Sequence, residues 1–170
     1  MSVMVSWLMK LHPDDDYVWA NVCLKLHSKI VVVVSSLPNL DCSTDIIFVV
    51  DESGSIGANN FNIMKLFLRQ LVGMLNINSG NTKVGLVTFG HKVGTVFNLR
   101  EHSSVFSLQS AISLLSYSSG RSTNTAAALA YVRTTMLTSA AGDRINAPNT
   151  VIVLTDGKSS YFHATAVSRL

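Results

Sequence analysis

The sequence predicts a doubly wound α/β fold, a mostly parallel sheet with helices on both faces, and three observations carry that expectation. Ile46–Val50 ("IIFVV") and Val151–Leu154 ("VIVL") are short, unbroken runs of β-branched and aromatic residues. Such runs suit parallel strands covered on both sides, where no face turns polar. The segments between them repeat apolar residues at helical spacing, so strands and helices alternate along the chain. The first apolar run stops at an acid, Asp51, and the second is followed by one threonine and then an acid, Asp156. In doubly wound sheets the ligand site lies beyond the carboxyl ends of the strands, which is where these two acids fall.

Residues 1–44 differ in character from residues 45–170. They hold both tryptophans, the acidic run Asp14–Asp16 and one apolar block, Ile30–Val34. We read them as an N-terminal extension, disordered or part of a signal region; the block begins too far from Met1, and is too short, for an ordinary signal peptide. The first strand comes next. "ANNFNIMKLFLRQLVGML" places Phe61, Met64, Leu68, Leu71, Val72 and Leu75 on one helical face, with Asn59 or Asn60 expected to cap it. "KVGLVTFG" and "HKVGTVFNL" read as a hairpin turning at Gly90–His91. "SSVFSLQSAISLLSY" is a short amphipathic helix with a serine start, and "TNTAAALAYVRTTMLTSA" is an alanine-rich helix. "TVIVLTDG" is the second buried strand, and "KSSYFHATAVSRL" begins another helix. The expected order is β-α-β-β-α-α-β-(α).

Composition narrows the class. Of the 170 residues 48% are hydrophobic and only 14% charged, with a formal net charge of +3, which suits one globular domain and not a disordered chain. The 13 Lys and Arg form no basic run interleaved with aromatics, so nucleic acid is not an expected partner. No apolar stretch reaches the roughly 18–20 residues of a membrane span. The two cysteines, Cys23 and Cys42, have no metal-ligand spacing and do not by themselves fix a redox compartment.

Chemistry gathers at the strand ends. In "DESGS" Asp51, Ser53 and Ser55 offer one carboxylate and two hydroxyls, and Gly54 allows the tight turn that lets the serines converge. Thr123 in "STNT" stands at the start of the alanine-rich helix, with Thr125 two residues on, and Asp156 closes the second strand. Two carboxylates and three hydroxyls form a set of hard oxygen donors. That set suits Mg²⁺, with Mn²⁺ or Ca²⁺ as alternatives, and its lack of His or Cys disfavours zinc. Five protein oxygens leave an octahedral ion a water-filled position that an acidic side chain from a partner could take. Each piece alone has a plainer reading, as a capped helix start or a turn; their conjunction at three element ends is what points to a site.

These segments resemble a known family. "DIIFVVDESGSI", "GRSTNTAAALAYV" and "VIVLTDGKS" look like the three metal-site segments of von Willebrand factor type A domains, and "KVGLVTFGHKVGTVFNL" resembles that family's second and third strands. The likeness runs from about Asp45 to Ser159 and is nearest the extracellular matrix branch, as in matrilins and the non-triple-helical parts of collagens. It implies a metal-ion-dependent adhesion site in which Ser53, Ser55 and Thr123 are direct ligands, while Asp51 and Asp156 act largely through bound water or change role between affinity states. Thr123 is preferred to Thr125 because the family's pattern places the ligand first in "T-x-T". The resemblance further implies a secreted module that binds a protein partner, such as collagen or another matrix protein, through an acidic residue. Family members typically continue through two more strand–helix units after "TDG". On that pattern residues 45–170 read as a domain whose last strand–helix units are missing, with Thr150–Thr155 left at a sheet edge that Ile30–Val34 would cover.

Other function classes find less support. No G-x-S-x-G surrounds Ser53, Ser55 or Ser122, and His91, His102 and His163 are isolated, so serine hydrolysis lacks its base. "GSIGANNF" has neither the P-loop lysine nor a G-x-G-x-x-G. Two further readings stay open at this level: an intracellular scaffold of the same fold, and a truncated product with impaired binding.

Overall fold

The structure, a computed structural model, describes residues 43–156 and the backbone of three strands that precede them. Along the chain come β1 (Val5–Met9), β2 (Val18–Val22), β3 (Val31–Val34), β4 (Thr44–Asp51), α1 (Gly57–Gly73), β5 (Thr82–Phe89), β6 (Val93–Phe97), α2 (Val105–Ser113), α3 (Thr125–Tyr131) and β7 (Asn149–Thr155). Strands β1 and β2 pair antiparallel with each other. The other five form one sheet in the order β3-β7-β4-β5-β6. Its centre is parallel, β4 lying between β5 and β7, and both outer pairs are antiparallel.

The unbroken apolar runs behave as two-sided strands. Ile46, Phe48 and Val50 pack on one face with Phe61, Met64 and Leu68 of α1 and with Leu108 and Ile112 of α2. Ile47 and Val49 pack on the other with Ala128 and Leu129 of α3, and with Val132 and Met136 beyond it. Period-two alternation therefore feeds two cores instead of one core and solvent. The doubly wound class expected from the sequence is what the chain adopts.

The expected exposed edge is covered. Strand β7 is flanked on its outer side by β3, with Val33 opposite Val153 and Val32 opposite Leu154. Its backbone groups are thus shared between β3 and β4, and the apolar block Ile30–Val34 supplies the covering strand through Val31–Val34. The hairpin at Gly90–His91 also forms, with Gly90 N–H donating to the Lys92 carbonyl and a bulge between Val87 and Phe89.

Two helix expectations need correction. Asn59 and Asn60 do not cap α1: the helix starts earlier, at Gly57, and the residue before it, Ile56, makes no side-chain cap. Gly57 has φ +74°, a conformation that favours glycine and that turns the chain from the Ser53–Ile56 bend straight into the helix. Asn60 instead donates back to the Ile56 carbonyl at 2.7 Å. The alanine-rich helix is also shorter than its composition suggests. It stops at Tyr131 and continues as a wider π turn over Val132–Met136, then as a 3₁₀ turn at Ser139–Ala141. Thr134 Oγ1 donates to the Ala130 carbonyl at 2.9 Å, a back-bond that competes with the helical ladder where the alanines end. The helix expected in residues 158–170, His163 and any pairing of Cys23 with Cys42 lie outside the described residues.

Candidate metal centre

The loop after β4 is built around the Asp51 carboxylate. Asp51 is fully buried. One of its oxygens accepts the Ser53 N–H at 2.8 Å, and the other accepts the Thr155 hydroxyl at 2.7 Å. Two strand ends, those of β4 and β7, are therefore tied at the residue where each apolar run gives way to polar chemistry. The first bond turns the chain back so that Ser53 and Ser55 project the same way, with hydroxyl oxygens 3.0 Å apart.

The second wall comes from the loop between α2 and α3. Gly54 N–H donates to the Gly120 carbonyl at 2.7 Å, and Ser53 bridges Gly120 as an isolated parallel pair. Tyr117 donates its hydroxyl to the Ser53 carbonyl at 2.9 Å, and Ser118 donates to the buried Glu52 carboxylate at 2.7 Å. A Cβ at Gly120 would stand 3.1 Å from the His91 nitrogen, so this approach tolerates no side chain without a shift. Between the walls lies an open cleft of about 390 Å³ lined by Ser53, Gly54, Ser55, Ser119, Gly120, Arg121, Ser122 and Thr123.

The structure thus brings Ser53, Ser55 and Thr123 to one cleft and places Asp51 beneath it. Asp156, half-buried, follows Thr155, the residue whose hydroxyl holds Asp51. Thr125 does not line the cleft but starts α3, and the helix cap is Asn124, whose side chain accepts the Ala127 N–H at 3.0 Å. The helix start in "STNT" is therefore capped by its asparagine and not by a hydroxyl. Reasoning from sequence missed Glu52, beside Ser53, and the loop some 65 residues away that faces it: Tyr117 and Ser118, which bond to Ser53 and Glu52, and Arg121, which lines the cleft. Local sequence contains no signal for that apposition.

The donor set fits a hard divalent cation. Neighbouring vertices of an octahedron with bonds of about 2.0–2.1 Å are roughly 2.8–3.0 Å apart. The two serine oxygens already stand at that separation. Among the described residues no three His, Cys, Asp or Glu side chains cluster, and the oxygen-bearing side chains that line the cleft are hydroxyls. Burial pushes the Asp51 carboxyl above its ordinary range; the bonds from Ser53 and Thr155 pull it down, and nearby Asp156 adds to the rise. A buried carboxylate with that balance favours a positive neighbour.

Residues 45–170 match the von Willebrand factor type A domain. The chain belongs to the von Willebrand factor type A family. Similarity to individual type A proteins agrees: mouse vitrin is 37% identical over 117 residues, covering 69% of this chain and 18% of vitrin. The mouse collagen alpha-4(VI) chain is 38% identical over 118 residues, 68% of this chain and 5% of that one. The type A chain thus spans less than a fifth of the length of these relatives. Among solved structures, proximal thread matrix protein 1 from the mussel byssus superposes with a TM-score of 0.67 at 28% identity, over 72% of this chain and 33% of that one. One form of that protein has a zinc-occupied MIDAS motif.

The raised Asp51 pKa gives a signed expectation for the metal-free type A domain. A carboxyl whose folded pKa exceeds its unfolded value contributes stability below the ordinary aspartate range, and that contribution is lost as pH rises through the folded value. Asp51→Asn should therefore be more stable than the parent at pH 7 in EDTA, by about 0.5–2 kcal/mol, and melt higher, as when an active-site compromise is relieved. The gap should close toward pH 4. Melting curves at both pH values check this; a variant less stable at pH 7, or a gap indifferent to pH, contradicts it.

Proposed function

We propose that the chain is a non-enzymatic, secreted adhesion module that holds Mg²⁺ at the cleft and docks an acidic group of a matrix protein there. Ser53, Ser55 and Thr123 would hold the ion directly, and Asp51 and Asp156 would act largely through bound water. The single observation that carries the reading is the convergence of the Ser53 and Ser55 hydroxyls, 3.0 Å apart, over the buried Asp51 carboxylate. When bound, the cation supplies a Lewis-acidic position for a partner's carboxylate. The chain's own work is orientation. Asp51 fixes the Ser53 backbone, Thr155 fixes Asp51, and the Gly54–Gly120 bond holds the two cleft walls together.

The names of similar proteins support the matrix setting: one is a collagen chain and another a thread matrix protein. Collagen or another matrix protein is accordingly the partner we propose, and Mn²⁺ or Ca²⁺ could replace Mg²⁺ among oxygen ligands. The His91 ring meets the Ser122 hydroxyl at 2.9 Å on the exposed rim, but among the described residues no third group orients that imidazole, so the pair lacks the support a catalytic base needs.

Titration calorimetry with Mg²⁺ tests the reading. Thr123→Ala should weaken cation binding at least about tenfold, as loss of metal-site groups does. It should also abolish EDTA-sensitive capture on immobilised collagen while the melting temperature stays within a few degrees. Undiminished cation binding in this variant and in Asp51→Ala would refute the assignment.

A further inference from the structure

We propose that the cleft recognises a pair of acidic side chains on one peptide segment, the second of them gripped by Arg121; the inference rests on the cation-binding reading above. Among the described residues lining the cleft, Arg121 is the single charged one. Its side chain is exposed, and among the described residues the one ion pair is Asp45–Arg144, at the other end of β4. Arg121 is thus a guanidinium set in a wall of hydroxyls, with no carboxylate of the described chain paired to it.

That arrangement has a chemical consequence. Guanidinium is a rigid fork of donors that matches a carboxylate face-on, so a guanidinium at a recognition surface selects planar anions. A cation held by Ser53, Ser55 and Thr123 uses one carboxylate of the partner and leaves the fork of Arg121 without an acceptor. The cleft, at about 390 Å³, is large enough for more than one short side chain.

Arg121 is also held in place without being consumed. The residue before it, Gly120, is bonded to Gly54 and sits against His91, and the residue after it, Ser122, is bonded to the His91 ring at 2.9 Å. Both neighbours are fixed to the β4–α1 loop or the β5–β6 hairpin, so the backbone carrying Arg121 is anchored on either side while its side chain faces solvent. Arg121 is therefore a specificity residue: it sets which acidic partners bind, and the hydroxyl set decides whether any bind.

The test uses the full 170-residue chain and immobilised synthetic peptides in Mg²⁺. One peptide carries a single Glu among glycines, and the others carry two Glu separated by one to four glycines. The parent chain should prefer the best two-acid peptide to the single-acid peptide by about five- to tenfold, the range of a well-formed but solvent-exposed charged pair. Arg121→Gln should reduce that preference to about the twofold expected from counting sites, and Arg121→Lys should fall between. Equal weakening of one-acid and two-acid peptides by Arg121→Gln would overturn the proposal, since guanidinium and cation would then share one carboxylate. So would a parent chain that binds the single-acid peptide in Mg²⁺ without any preference for two. Peptide capture that survives EDTA in every variant would instead overturn the cation reading, and this inference with it.

Discussion

Arg144→Met is expected to destabilise the fold by about 2–4 kcal/mol, more than any surface ion pair would suggest. Exposed pairs are worth roughly 0–1 kcal/mol, whereas removing one partner of a buried pair costs about 3–5 because a charge is left behind. Asp45 is fully buried, while the Arg144 side chain is one quarter exposed, so an intermediate loss applies. Arg144 does more than neutralise Asp45. Its Nε donates to Asp45 Oδ1 at 2.9 Å, its backbone N–H to Oδ2 at 2.8 Å, and its other nitrogens to the carbonyls of Gly80, Thr44 and Asn81. One guanidinium therefore closes the amino ends of β4 and β5 against the loop before β7. At about 2–4 °C per kcal/mol the melting temperature should fall by roughly 5–15 °C. Urea unfolding should show a lower midpoint at unchanged slope. The double variant Asp45→Asn/Arg144→Met should recover much of the loss, because no uncompensated charge stays buried. A double variant no better than the single one would show that the backbone carbonyls, and not Asp45, account for the cost.

How far these contacts were legible in the sequence depends on the range of each. "IIFVV" and "VIVL" declared buried strands because burial on both faces leaves an unbroken apolar run. "DESGS" declared its own convergence because Asp51, Ser53 and Ser55 lie within one short turn, where the chemistry is local. Arg144 and Asp45 are 99 residues apart, and "AAGDRINAPN" reads only as a loop. Thr123 lay between these cases. Position in "STNT" could not separate it from Thr125, and the family resemblance did so before the cleft geometry. The failed cap at Asn59 or Asn60 has a physical cause too: a glycine at positive φ can start a helix with no side-chain cap, and sequence rules reward the cap they can see.

The same dependence on distant contacts makes Gly94→Ala a strong handle on the site from outside it. Gly94 lies in β6, beyond the cleft lining. A Cβ there would stand 2.6 Å from Glu52 Oε1 and would press on Thr88 Oγ1. Neither neighbour yields freely. Thr88 is fully buried and its hydroxyl accepts the Thr95 N–H at 2.8 Å, while Glu52 is buried and receives the Ser118 hydroxyl. Displacing Glu52 would strand a carboxylate and release Ser118, adding the desolvation of unpaired groups to the strain of overpacking. The sum is about 2–4 kcal/mol. The functional effect should be larger in proportion. Ser118 lies just before Gly120, which meets Gly54 and His91, so its release loosens the wall that carries Arg121 and Thr123. Cation affinity of Gly94→Ala should drop at least about tenfold, measured well below its melting temperature, as for other supporting contacts of metal sites. Gly85→Ala supplies the control. Its Cβ would meet Met136 and the Phe97 carbonyl at 3.1 Å, in the sheet and away from the cleft, so it should lose stability and keep its affinity. If both variants lose cation binding equally, the effect is global loosening and Glu52 holds no special place. If Gly94→Ala alone loses it, the cleft depends on a carboxylate that touches neither the ion nor the partner.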